Sequence, residues 1–176
     1  MSYLNPLLAG IGLRFPHYDD VRDSKPNVGF LEIHTENFFG GGYHVEVLQE
    51  LAQHYTLSMH CVGLSLGSSE PVDAEHLHRV KRLVQQFEPA LVSDHASWSR
   101  SGNAHLPDLL PLPYTEETLQ ALCANVMRVQ DALGRQMLVE NPSTYISFAE
   151  STMEEAEFLA HLCERTGCAL LLDINN

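Results

Sequence analysis

The chain has 176 residues, 44% of them apolar, with ten Lys and Arg against 23 Asp and Glu and a formal net charge of −13. That fits one domain with a real core, offers no run of the roughly 18–20 apolar residues a membrane helix needs, and disfavours binding to nucleic acid or anionic lipid. The opening MSYLNPLLAGIGLRF has no basic segment ahead of its apolar stretch, so no signal peptide is expected and the cytosol is the expected compartment.

Strand-like apolar runs follow one another along the chain. They are LLAGIGLRF, VGFLEIHTEN, TLSMHCVGLSL, PALVSDHASW, QMLVENP and CALLLDINN, the last read as a strand buried on both faces. The first connection, PHYDDVRDSKPN, carries no obvious helix. Helical patterns separate the others: HVEVLQELAQHY, DAEHLHRVKRLVQQFE, TEETLQALCANVMRVQDALG and TMEEAEFLAHLCERTG. In the third of these, Leu119, Leu122, Cys123, Val126, Val129 and Leu133 recur every three to four residues and share one face. Thr115 ahead of Glu116 and Glu117 suits a helix start, and Thr152 with Glu155 fits a capping box. Gly134 and Gly167 stand where a left-handed residue would end a helix. The segment SRSGNAHLPDLLPLPY reads as a long loop, a lid or partner surface.

Alternating strands and helices imply a parallel sheet covered by helices, either open and doubly wound or closed as a (β/α)8 barrel. No G-x-G-x-x-G or Walker-type loop follows any strand. Polar residues instead gather at the ends of five strands, as Glu32/His34/Glu36/Asn37, His60, Asp94/His95, Glu140/Asn141 and Asp173/Asn175/Asn176. Barrel enzymes keep their chemistry at that end of every strand, whereas an open sheet uses one switch point, so the barrel is favoured. A complete barrel takes about 250 residues, so six strands read as three-quarters of one, a single incomplete domain over residues 1–176.

The strand tips carry the candidate chemistry. A carboxylate after Met-Leu-Val, as at Glu140, or after Leu-Leu-Leu, as at Asp173, is costly to bury unless paired, protonated or metal-bound. His60 and His95 sit in similar apolar runs. Each alone reads as a core histidine bonded to a backbone carbonyl, but with two carboxylates on one barrel mouth they form a nitrogen and oxygen set suited to Zn, Mn or non-haem Fe. The competing reading is a metal-free, charge-paired site with Arg14 or Arg100 as counter-ion. Of the histidines in helical stretches, His76 and His78 read as solvated and His44, His54 and His161 carry no assigned role, and the four cysteines read as reduced packing residues.

The stretches GIGLRFPHY, IHTENFFGGG, HCVGLSLGS, VSDHASWS, DLLPLPYTEE, RVQDALGR, LVENPSTY and RTGCALLLDINN, taken in order, resemble the multinuclear non-haem iron-dependent oxidative enzymes, including those of methanobactin and bufferin biosynthesis. The resemblance covers almost the whole chain. It implies a barrel of the xylose-isomerase type that holds two or three iron ions, with zinc or manganese as substitutes. It also implies O2-dependent modification of cysteine or another residue in a ribosomally made precursor peptide, and a partner protein that presents the peptide. Carried over by motif, the implied iron ligands are His60, His95, Glu140, Asp173 and Asn176. Glu36, Asn37, Asp94 and Asn141 become candidates for contacts behind the ligands or with substrate. The family has Gly where this chain has Cys61, and it continues for about a further hundred residues, so part of the cluster is expected to lie outside this sequence. Rival expectations are a divalent-metal isomerase or phosphodiesterase on the same barrel type, or an inactive fragment of the full enzyme.

Overall fold

The computed structural model describes residues 9–102 and 104–176. Its elements are β1 (Ile11–Gly12), α1 (Tyr18–Ser24), β2 (Phe30–His34), α2 (Tyr43–Leu51), β3 (Thr56–His60), α3 (Ala74–Phe87), β4 (Leu91–His95), β5 (Trp98–Ser101), β6 (Ala104–Leu110), α4 (Glu116–Leu133), β7 (Leu138–Glu140), α5 (Glu155–Thr166) and β8 (Ala169–Leu171), with short 3-10 turns at Phe15–His17 and Thr35–Phe38. Six strands form one sheet in the order β1-β2-β3-β4-β7-β8, and β5 pairs with β6 alone. The order of the six follows the sequence without reversal. An open doubly wound sheet would reverse at a switch point, so this progression is that of a barrel.

The chain divides into two compact units, one holding residues up to Cys61 with Arg79–Val92, the other Val62–His78 with Ser93–Asn176. In the first, β1, β2 and β3 run parallel, and the register from Phe30↔Thr56 to His34↔His60 sets two histidines side by side at the strand ends. Leu31, Ile33 and Met59 are fully buried, each contributing about 1.5–3 kcal/mol from apolar area removed from water.

In the second unit β7 pairs with β4 on one side and β8 on the other, both parallel. The register His95↔Glu140 brings an imidazole and a carboxylate together at adjacent strand ends. α4 packs on α5, and α5 on β8. Leu119, Leu122, Cys123, Val126 and Val129 form the buried face of α4 that the spacing predicts. Gly134 and Gly167 end their helices at φ 66° and 69°, where a side chain would strain the backbone. Gly67 serves a different need. Its N–H donates to Ser97 O at 2.8 Å, and a Cβ there would meet Leu112 at 2.7 Å and that same carbonyl at 2.9 Å.

Four expectations are corrected. The first connection does hold a helix, α1, in which Tyr18 and Val21 are the buried pair; seven residues are too few to show a period. The long segment after β4 is not a loop but the β5–β6 hairpin, whose register shifts between Trp98 and Arg100 and so breaks the alternation that marks a strand. Thr152 caps nothing with its side chain: α5 starts behind Glu154, and the Glu155 carboxylate accepts from Tyr114 Oη at 3.1 Å instead. Finally, CALLLDINN is not buried on both faces. Leu170, Leu172 and Ile174 are 39%, 61% and 85% exposed; among the described residues β8 is the last strand of the sheet, and Leu172 and Ile174 lie past its end.

Candidate metal centre

The site grows from the ends of β4 and β7. His95 Nε2 lies 3.5 Å from the Glu140 carboxylate, and its Nδ1 lies 3.4 Å from Asp94 Oδ1. The imidazole is thus held between two carboxylates. Asp94 is 1% exposed and its charge is met by backbone donors: the Leu64 N–H at 2.9 Å and the His95 N–H at 2.6 Å. An orienting carboxylate on one ring nitrogen leaves the other directed at the site, the arrangement typical of metal-ligating histidines.

A second set of bonds fixes the end of β8. The Asn141 amide accepts from the Asp173 N–H at 2.8 Å and donates to the Asp173 carbonyl at 3.1 Å. Asn176 Nδ2 donates to Asn141 O at 2.8 Å, and Asn176 Oδ1 accepts from the Ser143 hydroxyl. Asp173 Oδ1 accepts from the Asn175 N–H at 2.8 Å, closing the turn after the strand. Ser143, Asp173 and Asn176, with His95, Glu140 and the hairpin residues His105 to Leu109, line a cleft of about 650 Å³. Tyr145 Oη donates to Asp108 Oδ2 at 3.0 Å and so ties the hairpin to the segment after β7.

Within the second unit the His95 and Glu140 ligand atoms stand 3.5 Å apart, and His60 is the last residue of β3 in the first. An imidazole and a carboxylate, both at least half-buried, are donors that suit Zn, Mn or Fe(II), so the side chains present fit a metal. Asp173 lines the same cleft. Glu36 and Asn37 sit in the 3-10 turn after β2, the first half-buried and the second exposed. The arginines of the metal-free reading are engaged elsewhere. Arg100 donates to the Pro71 and Gly102 carbonyls and stands 3.8 Å from Glu70. Arg14 lies 3.4 Å from His34 Nε2; a guanidinium can only donate, so that nitrogen is the acceptor.

Two supporting residues escaped the sequence reading. Asn125 is buried on the apolar face of α4, where its amide donates to the Leu66, Ser68 and Glu70 carbonyls and accepts from the Val72 N–H. Ser65, at φ 55°, accepts from the Ser99 and Arg100 N–H groups at 2.8 and 3.0 Å. Together they fix the segment after β3, whose Val62 and Gly63 line the cleft. An amide in an otherwise apolar helical stripe was the one available signal for Asn125. His76, read as solvated, is half-buried and also lines the cleft.

A family model described as "RiPP precursor modification enzyme MbnB/TglH/ChrH" matches residues 8–176. A UPF0276 protein of Vibrio vulnificus is 51% identical over 168 residues, which are 95% of this chain and 58% of that protein. A UPF0276 protein of Rhizorhabdus wittichii is 45% identical over 179 residues, covering 100% and 64% respectively. The chain therefore spans about three-fifths of the length of these bacterial relatives. Among solved structures, D-psicose 3-epimerase of Clostridium cellulolyticum aligns with a TM-score of 0.60 at 12% identity, over 95% of this chain and 63% of that one. That likeness shows the fold, a barrel of the xylose-isomerase type. The match over nearly every residue settles membership: the chain belongs to the family of precursor-peptide modification enzymes named for MbnB, TglH and ChrH.

Proposed function

We propose that this chain carries the metal-binding part of an iron- and O2-dependent enzyme that oxidatively modifies a cysteine, or another residue, in a ribosomally made precursor peptide. The observation that carries the reading is the His95 and Glu140 pair lining an open cleft, in a chain of a peptide-modifying family. His60, His95, Glu140, Asp173 and Asn176 would hold two or three metal ions. Bound iron would supply redox chemistry with O2 and a seat for a thiolate, which no side chain here can supply.

The chain's own residues do the positioning. Asp94 orients the His95 ring and Asn141 sets the backbone at Asp173, so each acts behind a ligand. Glu36 and Asn37 are assigned to the same supporting role or to substrate. An extended peptide suits the cleft, because Leu106 to Leu109 of the extended strand β6 line it. A second protein that presents the precursor belongs to this reading, as does a cytoplasmic setting; no described helix is long and apolar enough to cross a membrane.

The test is anaerobic loading of the full-length relative and of this chain with Fe(II), followed by metal analysis and O2 uptake with cysteine-containing peptides. Iron retained by His95 and Glu140, and uptake dependent on peptide, support the reading. Stoichiometric zinc with no O2 consumption against any cysteine peptide overturns it.

A further inference from the structure

At the opposite end of β8 from Asp173, two thiols meet. Cys163 lies in the last turn of α5 and Cys168 directly precedes β8. Their sulfurs are 3.9 Å apart, with the Cys168 thiol donating to Cys163 Sγ. The backbone between them is fixed. Gly167 takes a left-handed conformation at φ 69°, its N–H donates to Cys163 O at 2.9 Å, and the Cys168 N–H donates to Thr166 Oγ1 at 3.2 Å. This turn holds both side chains toward each other. All four cysteines are free thiols.

We propose that Cys163 and Cys168 are a peroxide-oxidised thiol pair that closes reversibly into a disulfide, joining the end of α5 to the start of β8. Nothing in the proposed metal chemistry uses either residue, so the inference stands apart from it. A sulfur separation near 2.05 Å is required, and the remaining approach of about 2 Å is within reach of side-chain rotation at a helix end. The two thiols differ in access. Cys163 is half-buried and reaches solvent, whereas Cys168 is buried and its thiol is pushed up to about 12, chiefly by that burial. Oxidation therefore begins at Cys163. Its sulfur takes one oxygen from hydrogen peroxide, giving a sulfenic acid and one water. The Cys168 sulfur then attacks the Cys163 sulfur; the S–O bond breaks, and hydroxide leaves with the Cys168 proton as a second water. Two thiols have lost two electrons and two protons, and one peroxide has become two waters. A thiol reductant reverses the bond.

The competing partner is Cys123, a buried thiol on α4 that also bears electrostatically on Cys168. Trypsin separates the possibilities, because Arg128, Arg135 and Arg165 place Cys123, Cys163 and Cys168 on three different peptides. The reduced full chain is treated with hydrogen peroxide, denatured, and its thiols counted and mapped by mass spectrometry. The expected result is loss of two of the four thiols and a linked Cys163–Cys168 peptide pair, restored by dithiothreitol and unchanged on dilution. Cys123→Ser should behave the same, and Cys163→Ser should keep all its remaining thiols. Four persistent thiols, a link through Cys123 or between two chains, or Cys163 ending as an unlinked sulfinic acid would each overturn the proposal.

Discussion

β4 and β8 flank β7 on either side, and their sequences look alike: PALVSDH and CALLLDINN each run apolar residues into an aspartate. Their surroundings differ. β4 has neighbours on both sides and is buried from Val92 to His95, while β8 has one neighbour among the described residues and exposes Leu170, with Leu172 exposed just past its end. The aspartates differ as well. Asp94 is sealed in and accepts two backbone N–H groups, whereas Asp173 lines the cleft and accepts from the turn that follows it. A carboxylate at the end of an apolar run thus announces a demand for partners, but whether backbone or ligand meets it is decided by the neighbouring strands.

The largest expected effects test the ligand side of this contrast. Glu140→Ala or His95→Ala should bring iron content after anaerobic loading to background, with the secondary structure retained by circular dichroism. If Asp94 only orients His95, Asp94→Asn should leave metal bound but about 10–100-fold more weakly. The same change should cost about 1–3 kcal/mol in urea unfolding, because a buried amide cannot accept as two carboxylate oxygens do. Asp173→Asn should reverse the pattern, losing metal while moving stability by no more than about 0.5 kcal/mol. Equal behaviour of the two asparagine variants would break the comparison.

Removing apolar side chains sharpens it further. Val92→Ala, in a fully buried position, should cost about 2 kcal/mol in denaturant unfolding. Leu170→Ala removes more hydrocarbon but should cost less than about 1 kcal/mol in this chain, since the side chain is already 39% exposed. Leu172→Lys should leave stability nearly unchanged and reduce self-association in sedimentation, because it places a charge in the exposed apolar patch just past β8.

Most of the fold was legible in the sequence, for a local reason. All six sheet strands, the buried face of α4 and the glycines ending α4 and α5 are dictated by residues close in the chain. The hairpin was hidden because Pro107 and the register shift interrupt its alternation. His95, Glu140 and Asp173, which line the cleft, stand out in the sequence because a polar or charged residue after an apolar run needs an explanation. Asn125, Ser65 and the Cys163–Cys168 contact do not, since their partners lie on turns and segments that only tertiary packing brings near. The exposed face of β8 escaped for the same reason: the run of leucines says buried, and the count of neighbouring strands lies outside any local window.

The smallest expected effect concerns how the base of β8 is held. Ahead of it, Arg165 of α5 donates to both Glu116 oxygens on α4, at 2.6 and 3.0 Å, while Gln130 Nε2 donates to Thr166 O and Gln136 Nε2 to Gly167 O. The hydrogen bond from Arg165, supported by Gln120, holds the Glu116 carboxyl down at about 2, below its usual 4.5. A carboxyl depressed in the folded state favours folding above its unfolded value, and that contribution is lost as pH falls from about 4.5 through 2. Both partners are exposed, so solvent and salt screen the pair. The melting temperature of the wild-type chain should therefore fall slightly more between pH 5 and 2 (roughly the window of that titration) than that of Glu116→Gln, and the difference should shrink in high salt. An identical slope in both proteins would mean that the helix ends, and with them the start of β8, are held by the neutral amide bonds of Gln130 and Gln136 alone.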